Sequence, residues 1–139
     1  MLTDVGVART RSIAQYIVDN HALPDLILSS AAERAYTTAI ILADQFGMKT
    51  ESIVTNRYIY SGDENDLIDL ISETDNAYQS VMLVGHNPSI TYAANKLIKS
   101  LIDSLPTTGV VCIGLDTENW TDIKKAEKKL IFKVWPGML

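Results

Sequence analysis

With 139 residues, 47% hydrophobic and 21% charged, the chain has the size and balance to bury one apolar core, and residues 1–139 are expected to form a single domain. A formal charge of -5 and a pI near 4.9 give no cationic footprint for nucleic acid, and no apolar run is long enough for a membrane span, so neither partner is expected. The single cysteine, Cys112, cannot make an intrachain disulfide, and the N-terminus lacks a basic region followed by a hydrophobic stretch; the expected location is the cytoplasm.

In chain order, residues 2–6 read as a helix entry in which Thr3 or Asp4 can accept hydrogen bonds from the first free amides. Residues 8–20 carry Ile13, Ala14, Tyr16, Ile17 and Val18 at roughly helical spacing and leave Arg9, Arg11 and Asp19 for solvent. The break at 20–24 ends that helix and puts His21 in an exposed loop. A short apolar run at 25–30 closes on Ser29 and Ser30, and a helical pattern follows over 32–46 until Gly47 stops it. Ser29 or Ser30 is the expected N-cap, with Glu33 at the capping-box position if Ser30 is the cap. Arg34 falls in the first turn, where the helix dipole favours anions. A cation there calls either for a neighbouring acid or for a bound anion that the guanidinium and the dipole both face.

Residues 49–54 are expected to form a strand, and 56–62 an irregular connection holding Tyr58 and Tyr60. The acids at 63–66 suit the positive end of a helix over 67–73. They lack EF-hand spacing, and no cysteine and histidine cluster is present, so no metal and no other cofactor is expected. Val81-Met82-Leu83-Val84 reads as a short buried strand, Gly85 permits a close turn, and Pro88 suits the start of a helix over 89–102. His86 then stands at the carboxyl end of a strand, near helix amides that favour anions, where an imidazole either ties down a loop or serves a site. Beyond the break at 103–109 come a buried strand at 110–115, a charged turn or short helix at 122–129 and a last strand at 130–135. This alternation predicts an α/β fold: a mostly parallel sheet covered by helices, with an antiparallel pair at its C-terminal end.

Two signatures stand together, Leu28-Ser29-Ser30-Ala31-Ala32-Glu33-Arg34-Ala35-Tyr36-Thr37-Thr38-Ala39 and Val84-Gly85-His86-Asn87-Pro88. Leu2-Thr3-Asp4-Val5-Gly6 precedes them and Pro106-Thr107-Thr108-Gly109 follows. In this order, and along nearly the whole chain to the Trp120 loop and the Trp135-Pro136 tail, the sequence resembles the histidine phosphatase superfamily (phosphoglycerate mutase-like), and within it the SixA-type phosphohistidine phosphatases. The resemblance implies a three-layer α/β/α fold with a mostly parallel mixed sheet. It also implies hydrolysis of a phosphoryl group from phosphohistidine or another phosphorylated substrate, protein or small molecule, through a phosphohistidine enzyme intermediate.

By motif position, Arg34 resembles the family's second phosphate-binding arginine, and His86 resembles its second histidine, a catalytic group that stabilises the transferring phosphoryl. The backbone amide of Asn87 would add a donor to phosphate. A guanidinium fork matches phosphate oxygens, and a positioned imidazole can offset charge that shifts in the transition state. Asp63 or Glu64 is a candidate proton donor, which a phosphoramidate with its imidazole leaving group needs less. The ligands implied are phosphate or sulfate ions and phosphorylated substrates, with no cofactor.

Family members carry a strand ending in Arg-His-Gly ahead of the helix entry, inside the sheet between the strand that ends at His86 and the strand from Val110. This sequence opens at the helix entry, and neither of its two histidines, His21 and His86, follows an arginine or precedes a glycine. The expectation is a chain N-terminally truncated relative to the family, lacking its first strand and nucleophilic histidine and inactive as written. Two sheet edges that should be internal would then be left open. The alternatives are a non-catalytic module that binds phosphate or a phosphoprotein, and an interaction domain that forms a homodimer through the open edges.

Overall fold

The structure is a computed structural model that describes residues 2–99 and 103–139. Helix α1 (Asp4–Asn20) starts at Thr3, whose Oγ1 accepts the Gly6 N–H at 3.0 Å, and buries Thr10, Ile13, Ala14 and Ile17 along one face. That face packs on helix α2 (Glu33–Phe46) through Ala39, Leu42, Ala43 and Phe46. Each fully buried isoleucine, such as Ile13 or Ile17, contributes roughly 1.5–3 kcal/mol of transfer free energy. The helix stops at Gly47, which takes the left-handed conformation at φ 73°.

Three parallel strands, β1 (Leu26–Ser29), β2 (Ile53–Thr55) and β3 (Val81–Val84), lie in the order β2-β1-β3. Ile27 of β1 stands opposite Ile53 on one side and Met82 on the other. Successive β1 side chains alternate between layers: Ile27 joins α1 and α2, whereas Leu26 and Leu28 join Leu67 and Ile68 of α4 (Glu64–Ser72) and Ala93 of α5 (Ser89–Ile98). The sheet is therefore covered on both faces, which is why β1 is apolar at three successive positions and buried at all four.

Strands β4 (Val110–Leu115) and β5 (Lys128–Val134) form an antiparallel pair from Val110 opposite Val134 to Leu115 opposite Lys128, with a register shift between Cys112 and Ile113. Among the described residues no ladder joins β4 to β3. Both apolar layers nevertheless run across the break. One draws on Met82 and Val84 of β3 together with Val110, Phe132 and Val134 beyond it, and the other on Val81 and Leu83 together with Leu115.

Several boundaries differ from the sequence expectation. The N-cap of α2 is Ala32, with no side-chain cap and no capping box, because the Ser30 hydroxyl, which accepts the Ala32 N–H at 3.1 Å, also engages His86. The expected strand at 49–54 begins only at Ile53, after a 3₁₀ turn over Thr50–Ser52. The segment 56–62 is not irregular: Asn56 Oδ1 accepts the Tyr58 N–H at 2.8 Å and opens the one-turn helix α3 (Tyr58–Ser61). His21 is not an exposed loop residue; its ring stacks on Phe132 at 3.8 Å and its Nε2 is buried. The charged run at 122–129 is a turn over 123–126, as expected, but its last two residues belong to β5, so the last strand begins at Lys128 rather than at 130. Of the helix expected over 89–102, the described part ends at Ile98, and residues 100–102 lie outside the described residues. No described helix is long and apolar enough to cross a membrane.

Candidate functional site

The carboxyl ends of β1, β2 and β3 are tied side by side into one rim. The Ser30 N–H donates to the Val84 carbonyl at 3.0 Å, and the Asn56 N–H donates to the Ser29 carbonyl at 3.0 Å. Ligand groups of open α/β sheets gather at such rims. His86 leaves β3 there through Gly85, and Arg34 stands in the first turn of α2, directly after β1.

The His86 Nε2 lies 2.9 Å from the Ser30 Oγ. Ser30 is 0% exposed, and its oxygen already accepts the Ala32 N–H. Donor and acceptor roles in this contact follow the imidazole tautomer; donation of the Ser30 hydroxyl proton to Nε2 would place the proton of a neutral His86 on Nδ1. Burial first, and then the positive charge of Arg34, hold the His86 pKa below the ordinary histidine value, so the ring is neutral at physiological pH. Arg34 is the second cause of that shift, after burial.

Arg34 is exposed and, among the described residues, pairs with no carboxylate. The neighbouring acid that would explain a cation at that helix position is therefore not found there. The Asn87 side chain turns to other work: its Nδ2 donates to the Leu105 carbonyl at 2.9 Å, its Oδ1 accepts from the Thr91 hydroxyl, and Thr91 Oγ1 accepts the Leu105 N–H at 2.9 Å. This network pins the segment at Leu105 beside the first turn of α5. Asp63 caps α4, its Oδ1 accepting the N–H groups of Asn65 and Asp66 while Asp66 Oδ2 accepts the Asp63 N–H, so that carboxylate is engaged in a capping box.

Two neighbours of His86 escaped the sequence reading. Ser30 carried a signal, a serine at a strand end, but one that reads equally as a helix cap. Tyr60 stands perpendicular to the imidazole, at 87° and 5.1 Å between ring centroids, and only its place just past the end of β2 hinted at the rim. Among the described residues no group of three or more His, Cys, Asp or Glu side chains could hold a metal ion. Cys112 is a half-buried free thiol in β4 whose pKa is raised by burial.

The α/β fold, with its parallel three-stranded sheet covered by helices on both faces, gives the class of protein, since it matches the histidine phosphatase fold of solved SixA structures. No family model and no curated protein matches the chain. Among solved structures, the phosphohistidine phosphatase SixA from Agrobacterium tumefaciens is 30% identical, with 98% of this chain and 83% of that one covered at a TM-score of 0.80. SixA from Nakamurella multipartitia is 17% identical over 97% and 84% of the two chains, with a TM-score of 0.84. The protein histidine phosphatase SixA complexed with tungstate is 18% identical over 99% and 85%, with a TM-score of 0.82. The chain belongs to the SixA phosphohistidine phosphatases of the histidine phosphatase superfamily.

Proposed function

We propose that Arg34, His86 and the backbone amide of Asn87 hold the phosphoryl group of a phosphorylated protein or small molecule, as the stabilising half of a phosphohistidine phosphatase site. The observation that carries this reading is that Arg34 and His86 each follow the carboxyl end of one of two neighbouring parallel strands, with no described carboxylate to neutralise the guanidinium. A guanidinium fork binds phosphate oxygens in pairs, and an imidazole N–H donor gains strength as charge builds on the transferring group. The tungstate held by a SixA relative, a tetrahedral oxyanion like phosphate, supports an oxyanion ligand.

Turnover needs a nucleophile, and the chain has one other histidine, His21. It precedes β1, at the rim opposite His86, with its ring stacked on Phe132. The chain by itself is therefore proposed to bind without hydrolysing. The half-buried, unpaired Cys112 suits a reducing cytoplasmic setting.

The test is titration with inorganic phosphate followed through the His86 ring resonances, alongside an assay with a phosphohistidine peptide. Saturable shifts whose affinity falls in Arg34→Ala, with hydrolysis at background, are expected. Acid-labile phosphate trapped on His86, or turnover above background, overturns the proposed inactivity; absence of any saturable shift overturns the phosphate site.

A second reading rests on the break between β3 and β4. Two apolar strand edges with no partner on one side are templates for a strand from a second copy of the chain. Sedimentation equilibrium separates the readings, since a homodimer paired through these edges sediments at twice the monomer mass and phosphate binding alone leaves the mass unchanged.

A further inference from the structure

We propose that Tyr60 is the specificity-determining residue of this rim: a fixed aromatic wall against which a flat aromatic leaving group lies while Arg34 and His86 hold its phosphoryl. The inference rests on the phosphate-binding reading of those two residues and adds to it the residue that would recognise the ring to which the phosphoryl group is attached.

Tyr60 is 67% exposed, yet it is held in place. The one-turn helix that carries it is anchored from below by Ile59, which is 1% exposed and packs in the layer with Leu28, Leu67 and Ala93. A Cβ on Gly85 would stand 3.1 Å from the Ile59 Cγ2, so the absence of a side chain at Gly85 lets α3 settle on the turn that presents His86. At the far end of α3 the Ser89 hydroxyl donates to the Gly62 carbonyl at 3.1 Å, and at the near end Asn56 caps Tyr58. The helix is thus fastened to β2, to the Gly85 turn and to the start of α5.

One neighbour of the Tyr60 ring is the His86 imidazole, perpendicular to it, and most of the ring's remaining surface is open to solvent. Aromatic rings favour offset or edge-on partners with centroids 4.5–7 Å apart. A ring bonded to a phosphoryl at His86 meets that geometry, whereas an aliphatic ester offers no such partner. The imidazole of a phosphoramidate and the phenol of an aryl phosphate share this chemistry.

The experiment measures affinities of the chain for inorganic phosphate, methyl phosphate, phenyl phosphate and N-phosphoimidazole, in the wild type and in Tyr60→Ala and Tyr60→Phe. The wild type should hold the two aromatic phosphates about five-fold more tightly than methyl phosphate, the size of effect expected of an aromatic pair. Tyr60→Ala should bring the ratio to about one, and Tyr60→Phe should keep it. The tighter of the two aromatic ligands then names the ring preferred. An unchanged ratio in Tyr60→Ala, or equal losses for methyl and aromatic ligands, overturns the proposal and leaves Tyr60 as a prop for His86. If the wild type fails to bind inorganic phosphate at all, the phosphate reading falls first and this inference with it.

Discussion

The buried hydroxyl of Ser30 and the imidazole of His86 meet at 2.9 Å, joining the carboxyl ends of β1 and β3 through side chains just beyond the point where the Ser30 N–H joins them through the backbone. One oxygen thus serves two purposes, accepting the Ala32 N–H at the start of α2 and holding the His86 ring by its Nε2.

Ser30→Ala should remove both. The loss of a buried hydroxyl whose two partners remain predicts destabilisation of about 1–2 kcal/mol in urea unfolding. Nitrogen chemical shifts of His86 should move from a single Nδ1–H tautomer toward a mixture of the two. A variant with full stability and an unchanged tautomer would show that the contact has no such role.

His86 should also make stability depend on pH. Its folded pKa lies below 6.5 because of burial and, second, Arg34. Between that lowered value and 6.5 the unfolded chain binds a proton that the folded chain does not. The stability associated with neutral His86 is therefore complete above 6.5 and declines as pH falls through the folded value. Unfolding curves from about pH 7.5 to about pH 5 should lose stability more steeply in the wild type than in His86→Gln, which cannot titrate. Parallel profiles would remove His86 as the source of the slope.

Arg34→Ala should act on the same ring from a distance. Taking away the positive charge raises the His86 pKa, but only part of the way to the ordinary value, because burial is the larger cause and remains. The same variant should weaken inorganic phosphate binding by about ten-fold or more, the loss of a charge-assisted fork, and Arg34→Lys should recover only part of it because an ammonium lacks that fork. A His86 titration that does not move in Arg34→Ala would separate the two residues.

Much of this arrangement is legible in the residues because local and global signals agree. The period of Ile13, Ala14 and Ile17, the stop at Gly47 and the acids before Leu67 each satisfy a local rule that packing then reinforces. Arg34 and His86 could be singled out together because each sits in one of the two signatures that carry the resemblance, and the parallel order of β1 and β3 sends the strand ends beside them to one rim. Ser30 and Tyr60 were not legible for the opposite reason. Their roles come from partners 56 and 26 positions away, the differences 86 − 30 and 86 − 60, and a local reading gives the first to a helix cap and the second to a connector. His21 misleads in the same way: its polar neighbours suggest a loop, and Phe132 from the last strand covers it.

The same reasoning makes the break beside β3 testable by amide exchange. The central strand β1 is paired on both sides and buried at all four positions, whereas among the described residues β3 and β4 each pair on one side only and are half-buried throughout. Neither β3 nor β4 carries a charge, unlike β5, whose Lys128, Lys129 and Lys133 mark an edge guarded against further pairing. Ile27 and Leu28 amides should accordingly exchange about ten-fold or more slowly than the unpaired amides of β3 and β4 in dilute protein, because the latter open without breaking a ladder. Raising the protein concentration should slow exchange along β3 and β4, and leave β1 unchanged, if a second copy fills the break. Equal protection across all three strands at every concentration would mean that the two edges are already covered within one chain.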